Sequence, residues 1–269
     1  MQGPPSKYVV DLSLVEDFRR LSEGSLNELD AALLVARVVD ANLDSARVRH
    51  HIEMLEDAAR SQGTVDVEGM LAMLRSEGFA QNSLTEVDIT HSSIDWLLQQ
   101  HQGLPIVVAV LVLALARRLG MLAEGVNYPG HFLVRIDDAL IDPLALTVVD
   151  ERSLQTIPGF TKSEMLSPAS PVTIAFRMLN NLKAYYTAFE NWRAALLTTE
   201  YQIGMVNNEP RLLGLVYFER AEYWQGLNNS EAALVEYARC AEVTTDNELA
   251  KRANSRLDQL IGTNQGPLH

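Results

Sequence analysis

The stretch GLPIVVAVLVLALARRLG at residues 103–120, followed by AEGVNYPGHFLVRIDDALID at residues 123–142, decides the fold of this chain. The first piece holds thirteen consecutive residues, Leu104 to Ala116, without a polar side chain. Pro105 stands where the first turn of a helix tolerates a missing N–H, Arg117 and Arg118 suit the negative end, and Gly120 can stop it. A membrane span needs roughly 20 apolar residues. The run therefore reads as a core helix, and a helix apolar all round must be surrounded by other elements.

In the second piece the texture changes from helical period to short strands, expected at Ala123–Asn127, His131–Ile136 and Ala139–Asp142. Tyr128-Pro129-Gly130-His131 has Pro and Gly in the order of a type II turn. With Asp137-Asp138 as a two-residue hairpin loop, Ile136 pairs with Ala139, and counting back sets Leu133 opposite Asp142. His131 then shares a face with Asp142 as its diagonal neighbour, ~7–8 Å away between backbones. The register predicts a His131–Asp142 pair.

Outward from this core both flanks read as helical. Leu26, Leu29, Leu33 and Ala36, then Val48, Ile52, Leu55 and Ala59, then Val67, Met70, Leu71 and Leu74 recur at helical spacing. Breaks are expected near Ser22 to Ser25, near Asn42 and around Ser61 to Thr64. Gly78 to His91 reads as a polar loop, and Ser92 or Ser93 can cap a short helix carrying Ile94, Trp96, Leu97 and Leu98. Val149 to Pro171 is linker-like. Beyond it five helices are expected, in antiparallel pairs. They carry Ile174 to Phe189, Trp192 to Ile203, Leu212 to Gly226, Ser230 to Val243 and Glu248 to Ile261.

The 269 residues carry 22 Lys+Arg against 35 Asp+Glu, a net charge of −13. That balance excludes binding to nucleic-acid backbones or anionic membranes through clustered cations, so neither is expected as a partner. The single cysteine, Cys240, rules out an internal disulfide and a multi-thiolate zinc site. Met1 to Val10 lack a basic segment followed by an apolar one, and the expected location is cytoplasmic. His50 and His51 are adjacent and diverge on a helix, and His91 and His101 lack a paired-ligand spacing, so no metal site is expected. Walker and Rossmann glycine patterns are absent from the sequence, and no cofactor is expected.

Gly103-Leu104-Pro105-Ile106, Ala116-Arg117-Arg118-Leu119-Gly120, Glu124 through Arg135 and Ile141-Asp142-Pro143 resemble the bacterial SirB-type family. That family joins a transglutaminase-like domain to tetratricopeptide-like repeats. The resemblance implies an α+β, mostly helical fold. Its parts are a transglutaminase-like (papain-like) core with a small antiparallel sheet over residues 1–160 and tetratricopeptide-like helical hairpins over residues 161–269. It also implies that His131 and Asp142 fall on the histidine and aspartate of a Cys–His–Asp triad. In the superfamily a cysteine opens the central helix, where dipole and imidazole favour the thiolate. Here that turn reads Ile106, Val107, Val108, and none is a nucleophile. Cys240 lies on a different helix, where a free cysteine is usually a small buried hydrophobe.

Ala221, Ala233, Tyr237 and Cys240, at spacings of twelve, four and three, match the small–small–aromatic–small pattern of a tetratricopeptide repeat. Thr245 stands where that repeat usually has Pro. The helices either present a peptide-binding face, with Tyr217, Trp224 and Tyr237 as candidate binding residues, or brace the domain interface. The expected function is a non-catalytic cytoplasmic adaptor that binds an unidentified protein or peptide. The alternative is a hydrolase or acyl-transferase with a displaced nucleophile, using His131 and Asp142.

Overall fold

The computed structural model describes residues 10–63, 65–80, 87–156 and 158–264. Thr64, residues 81–86 of the expected polar loop, and residues 1–9 fall outside that description. The described chain forms two compact units, one of residues 26–181 and one that joins residues 182 onward to the segment ending at Ser25.

In the first unit the apolar run forms α6 (Pro105–Arg118), with Pro105 in the first turn and Arg117 and Arg118 in the last, as expected. Every residue from Ile106 to Ala116 except Ala114 is buried. The elements that cover it are α2 (Glu28–Val39), α3 (Ser45–Ser61), α5 (Ile94–Gln100), β1 (Ala123–Val126) and β2 (Leu133–Ile136). No polar face exists on α6, so burial on all sides is the arrangement that removes most apolar surface from water. α4 (Val67–Ser76) packs beside α3.

Arg117 complements the helix dipole and also ties two elements together. Its guanidinium pairs with buried Glu28 on α2, Nη2 to Oε1 at 2.8 Å, and donates to the Ala123 carbonyl at 3.0 and 2.8 Å. The Glu28 partner holds the Arg117 pKa above its ordinary value. Asn27 and Asp30 close a reciprocal capping box on α2. Ser93 precedes α5 without a side-chain cap bond.

The sheet is fully antiparallel with strand order β4-β3-β2-β1-β5, adding β3 (Ala139–Asp142), β4 (Thr147–Val149) and β5 (Pro168–Ala169). The expected hairpin register is observed: Ile136 pairs with Ala139 and Val134 with Ile141. Asp137 turns the hairpin at φ 49°, exchanging bonds with Leu122 through its N–H at 2.8 Å and its carboxylate at 3.1 Å. The Tyr128–His131 turn closes with the His131 N–H on the Tyr128 carbonyl at 3.2 Å, and Gly130 supplies φ 80°. β4 and β5 were not expected: β5 lies inside the linker-like stretch from Val149 to Pro171, and β4 ends where that stretch begins. β5 is two residues at the sheet edge, where Pro168 removes no ladder bond that the sheet needs. Between them α7 (Lys162–Met165) is a single turn capped by Thr161 and Glu164. Chain packing divides the molecule inside α8 (Pro171–Ala188), at residues 181/182, rather than at the Pro-rich stretch that suggested residue 160.

In the second unit α1 (Leu12–Ser22) packs on α9 (Trp192–Val206), with the Phe18 and Tyr201 rings 5.1 Å apart. This separates α1 from the N-terminal helices with which the sequence groups it. α9, α10 (Pro210–Gly226), α11 (Ser230–Val243) and α12 (Asn247–Asn264) pack each on the next. Three-residue connections join them, which fold each helix back on its predecessor. Phe218, Ala221, Ala233, Tyr237, Cys240, Leu249 and Ala253 form one buried cluster.

Two glycines permit the close approaches here. A Cβ on Gly226 would lie 2.6 Å from the Trp192 ring, and one on Gly214 would lie 2.4 Å from the Thr244 Cβ and 3.1 Å from its Cα. Because backbone is involved at Gly214, Gly214→Ala is expected to destabilise by about 1–3 kcal/mol. A urea midpoint equal to that of the parent protein would mean that the α10–α11 contact is loose.

Candidate functional site

A cavity of about 420 Å³ opens in the first unit. Its walls come from the start of α6 at Leu104 and Ile106, the Tyr128–His131 turn, β2, the end of β3 and the early turns of α8. Both His131 and Asp142 line it, along with Arg177 and Asn181.

The cavity collects His131 and Asp142 without joining them. Among the described residues no hydrogen bond or ion pair links the two side chains. The Asp142 Oδ1 accepts the Leu144 N–H at 2.8 Å, an Asx-type turn leading from β3 toward β4. His131 is exposed, its ring centroid 6.3 Å from that of Tyr128. The expected pair rested on a strand starting at His131. β2 begins at Leu133, so His131 belongs to the turn and strand alternation does not govern its direction.

The first turn of α6 offers packing and no nucleophile. Ile106 is 4% exposed and Val107 and Val108 are 0% exposed. Cys240 is also 0% exposed, enclosed by the cluster of its own unit, and burial pushes its thiol up to about 11. A thiol so placed is protonated at neutral pH and inert.

Of the candidate binding residues on the helical unit, Tyr237 is excluded by burial. It is 0% exposed, its hydroxyl donates to Gln225 Oε1 at 2.7 Å, and its ring meets Phe218 edge-on at 5.2 Å. The small–small–aromatic–small pattern places it in the core because the groove between paired helices is that core. Tyr217 is partly buried, with the Arg239 guanidinium 5.9 Å above its ring. Trp224 lines a second cavity of about 460 Å³, within the helical unit, beside Leu196 and Arg220.

His91 and His101 serve local structure, and His50 lies at the surface. His91 Nδ1 accepts the Asp88 N–H at 2.9 Å, capping a 3-10 turn. His101 ends α5 in the left-handed region, with its ring 4.4 Å from Phe79. His50 lies 3.5 Å from Glu53 on the exposed face of α3. Among the described residues no three or more His, Cys, Asp or Glu side chains converge as a metal site would require.

Arg177 is the cavity residue that sequence reasoning missed. Its Nη1 donates to Asn127 Oδ1 at 2.6 Å and reaches the Tyr128 carbonyl at 3.5 Å, and its guanidinium lies 5.5 Å over the Phe132 ring. Burial lowers its pKa, and no neighbouring carboxylate opposes that shift. The Phe132 ring lies so close to Gly125 that a Cβ there would come within 2.7 Å of it. The available signal was a lone cation inside the apolar stripe from Ile174 to Leu182.

Comparison with known proteins places this geometry in context. The family model of the transglutaminase-like superfamily matches residues 37–180, more than half of the chain and most of the unit that holds the cavity. A UPF0162 protein of Xylella fastidiosa is 28% identical over 252 residues, covering 84% of this chain and 89% of that protein. One of Pseudomonas aeruginosa is 28% identical over 255 residues, covering 91% of this chain and 86% of the relative. One of Vibrio cholerae is 24% identical over 269 residues, covering 94% and 98%. No solved structure matches the chain.

Proposed function

The chain belongs to the transglutaminase-like superfamily, and from that membership we propose that it is a non-catalytic member, a cytoplasmic adaptor that binds a protein or peptide segment. The observation that carries this reading is the first turn of α6. Ile106, Val107 and Val108 are buried apolar residues there, where the superfamily's chemistry needs a thiolate. His131 and Asp142, which do not bond each other, are read as the remnant of a triad whose nucleophile role is vacant. The cavity they line remains open to a ligand, and it combines an apolar wall with a few polar groups, the usual make-up of a binding pocket.

The helical unit is read as a short tetratricopeptide-like module, in keeping with the SirB-type resemblance. Its support is the packing of Ala221, Ala233, Tyr237 and Cys240 in one cluster, together with the short connections between successive helices. Cytoplasmic placement is supported by the single, unpaired cysteine, which suits a reducing compartment. Among the described residues no single helix is long and apolar enough to cross a membrane.

His131→Ala tests this reading. Its side chain is exposed, so the expected stability change is within about 0.5 kcal/mol. A peptide incubated at length with the parent protein or with the variant is expected to be recovered intact by mass spectrometry. Cleavage or acyl transfer by the parent protein that disappears in a fully folded His131→Ala variant would establish the enzyme instead.

A further inference from the structure

We propose that the cavity at the start of α6 recognises a carboxylate carried on an apolar group, with Arg177 as the residue that grips it. The inference rests on reading this cavity as a binding site, and it adds the chemical class of the ligand.

Arg177 is the centre of the inference because its charge lacks a counterpart. Among the described residues it makes no ion pair, and its hydrogen bonds, to Asn127 Oδ1 at 2.6 Å and the Tyr128 carbonyl at 3.5 Å, both use Nη1. Nε and Nη2 are left without a protein acceptor, and neither is sealed from the cavity. A guanidinium that is half-buried and unpaired loses hydration without a carboxylate to replace it. Elsewhere in this unit Arg47, Arg117 and Arg135 each meet an acidic side chain, at 2.9, 2.8 and 2.8 Å. Arg177, only partly exposed and lining the cavity, meets none.

The surroundings hold the guanidinium in one orientation. Asn127 fixes Nη1, the Phe132 face supports the plane at 5.5 Å, and Gly125 leaves the room that the Phe132 ring occupies. A planar fork held in place and missing two acceptors matches a carboxylate, which accepts from both nitrogens at once. The Asn181 amide and exposed His131 add polar groups to the lining. Asp142 is the one carboxylate there, and the Leu144 N–H neutralises part of its demand for donors. Leu104, Ile106, Phe132, Leu133 and Leu144 make the rest of the wall apolar. The ligand therefore presents a carboxylate beside an apolar side chain, as the end of a peptide chain or a free branched acid does.

Titration calorimetry on the full chain tests this with two probes and their amides: N-acetyl-leucine, and an N-acetylated tetrapeptide ending in leucine. Each acid is expected to bind about tenfold or more tightly than its amide. Tighter binding of the tetrapeptide acid assigns the site to chain ends, and equal binding of the two acids assigns it to a free acid. Arg177→Lys keeps the charge but not the fork and is expected to lose most of the preference for acid over amide; Arg177→Met is expected to lose all of it. Equal affinity for acid and amide, with both recovered intact, overturns the carboxylate assignment while leaving the binding reading in place. No binding by either acid also overturns it. Chemical conversion of a probe overturns the inference together with the reading beneath it. The acid–amide contrast on the parent protein stays decisive if Arg177→Met fails to fold.

Discussion

Leu111→Ala is expected to lower the unfolding free energy by about 2–5 kcal/mol. Leu111 is 0% exposed at the middle of α6, which is covered by three helices and two strands of its unit. Truncation removes the transfer free energy of the lost carbons and leaves a cavity that elements on several sides cannot all close. Denaturant unfolding followed by circular dichroism measures it. A loss below about 1 kcal/mol would place Leu111 at a surface or in a region that collapses freely, and α6 would not be the core of the unit.

Tyr237→Ala is expected to cost about 3–5 kcal/mol, the range of large aromatic truncations. The ring packs with Phe218, Ala221 and Cys240 in the helical cluster. Tyr237→Phe removes only the hydrogen bond to Gln225, 2.7 Å long, and is expected to cost about 0.5–1.5 kcal/mol. That ratio distinguishes a core tyrosine from a binding one. A Tyr237→Ala protein with parent stability and weakened peptide binding would return the residue to the binding face that the sequence suggested.

What was legible in the sequence follows from how local its determinants are. α6 was readable because its composition admits a single environment, and the β2–β3 hairpin because two loop residues fix the pairing of everything behind them. The Tyr128–His131 turn was readable from Pro and Gly in adjacent places. The His131–Asp142 contact was not, since it needed the phase of a strand to hold two residues beyond its end. β5 was hidden in a linker-like composition and β4 in the short stretch just before it, because their pairing is supplied by neighbours already in the sheet. The membership of α1 in the helical unit depends on the long-range contact of Phe18 with Tyr201, which no local pattern records.

At the site, the sequence identified His131, Asp142 and the missing nucleophile through resemblance to a triad. Arg177 was missed because its importance lies in what it lacks. An arginine in an apolar stripe reads as a snorkelling surface residue, and only the structure reveals that Asn127 and Phe132 hold it beside the cavity without a carboxylate.

The claim that no nucleophile serves His131 is tested most directly by alkylating the folded protein with iodoacetamide at pH 8 and counting the label by mass spectrometry. The chain has one cysteine, buried and with its thiol pushed up to about 11. The account predicts negligible labelling under native conditions and one equivalent in denaturant. Rapid stoichiometric labelling of native Cys240, slowed by His131→Ala, would contradict it and show a reactive thiolate working with that histidine.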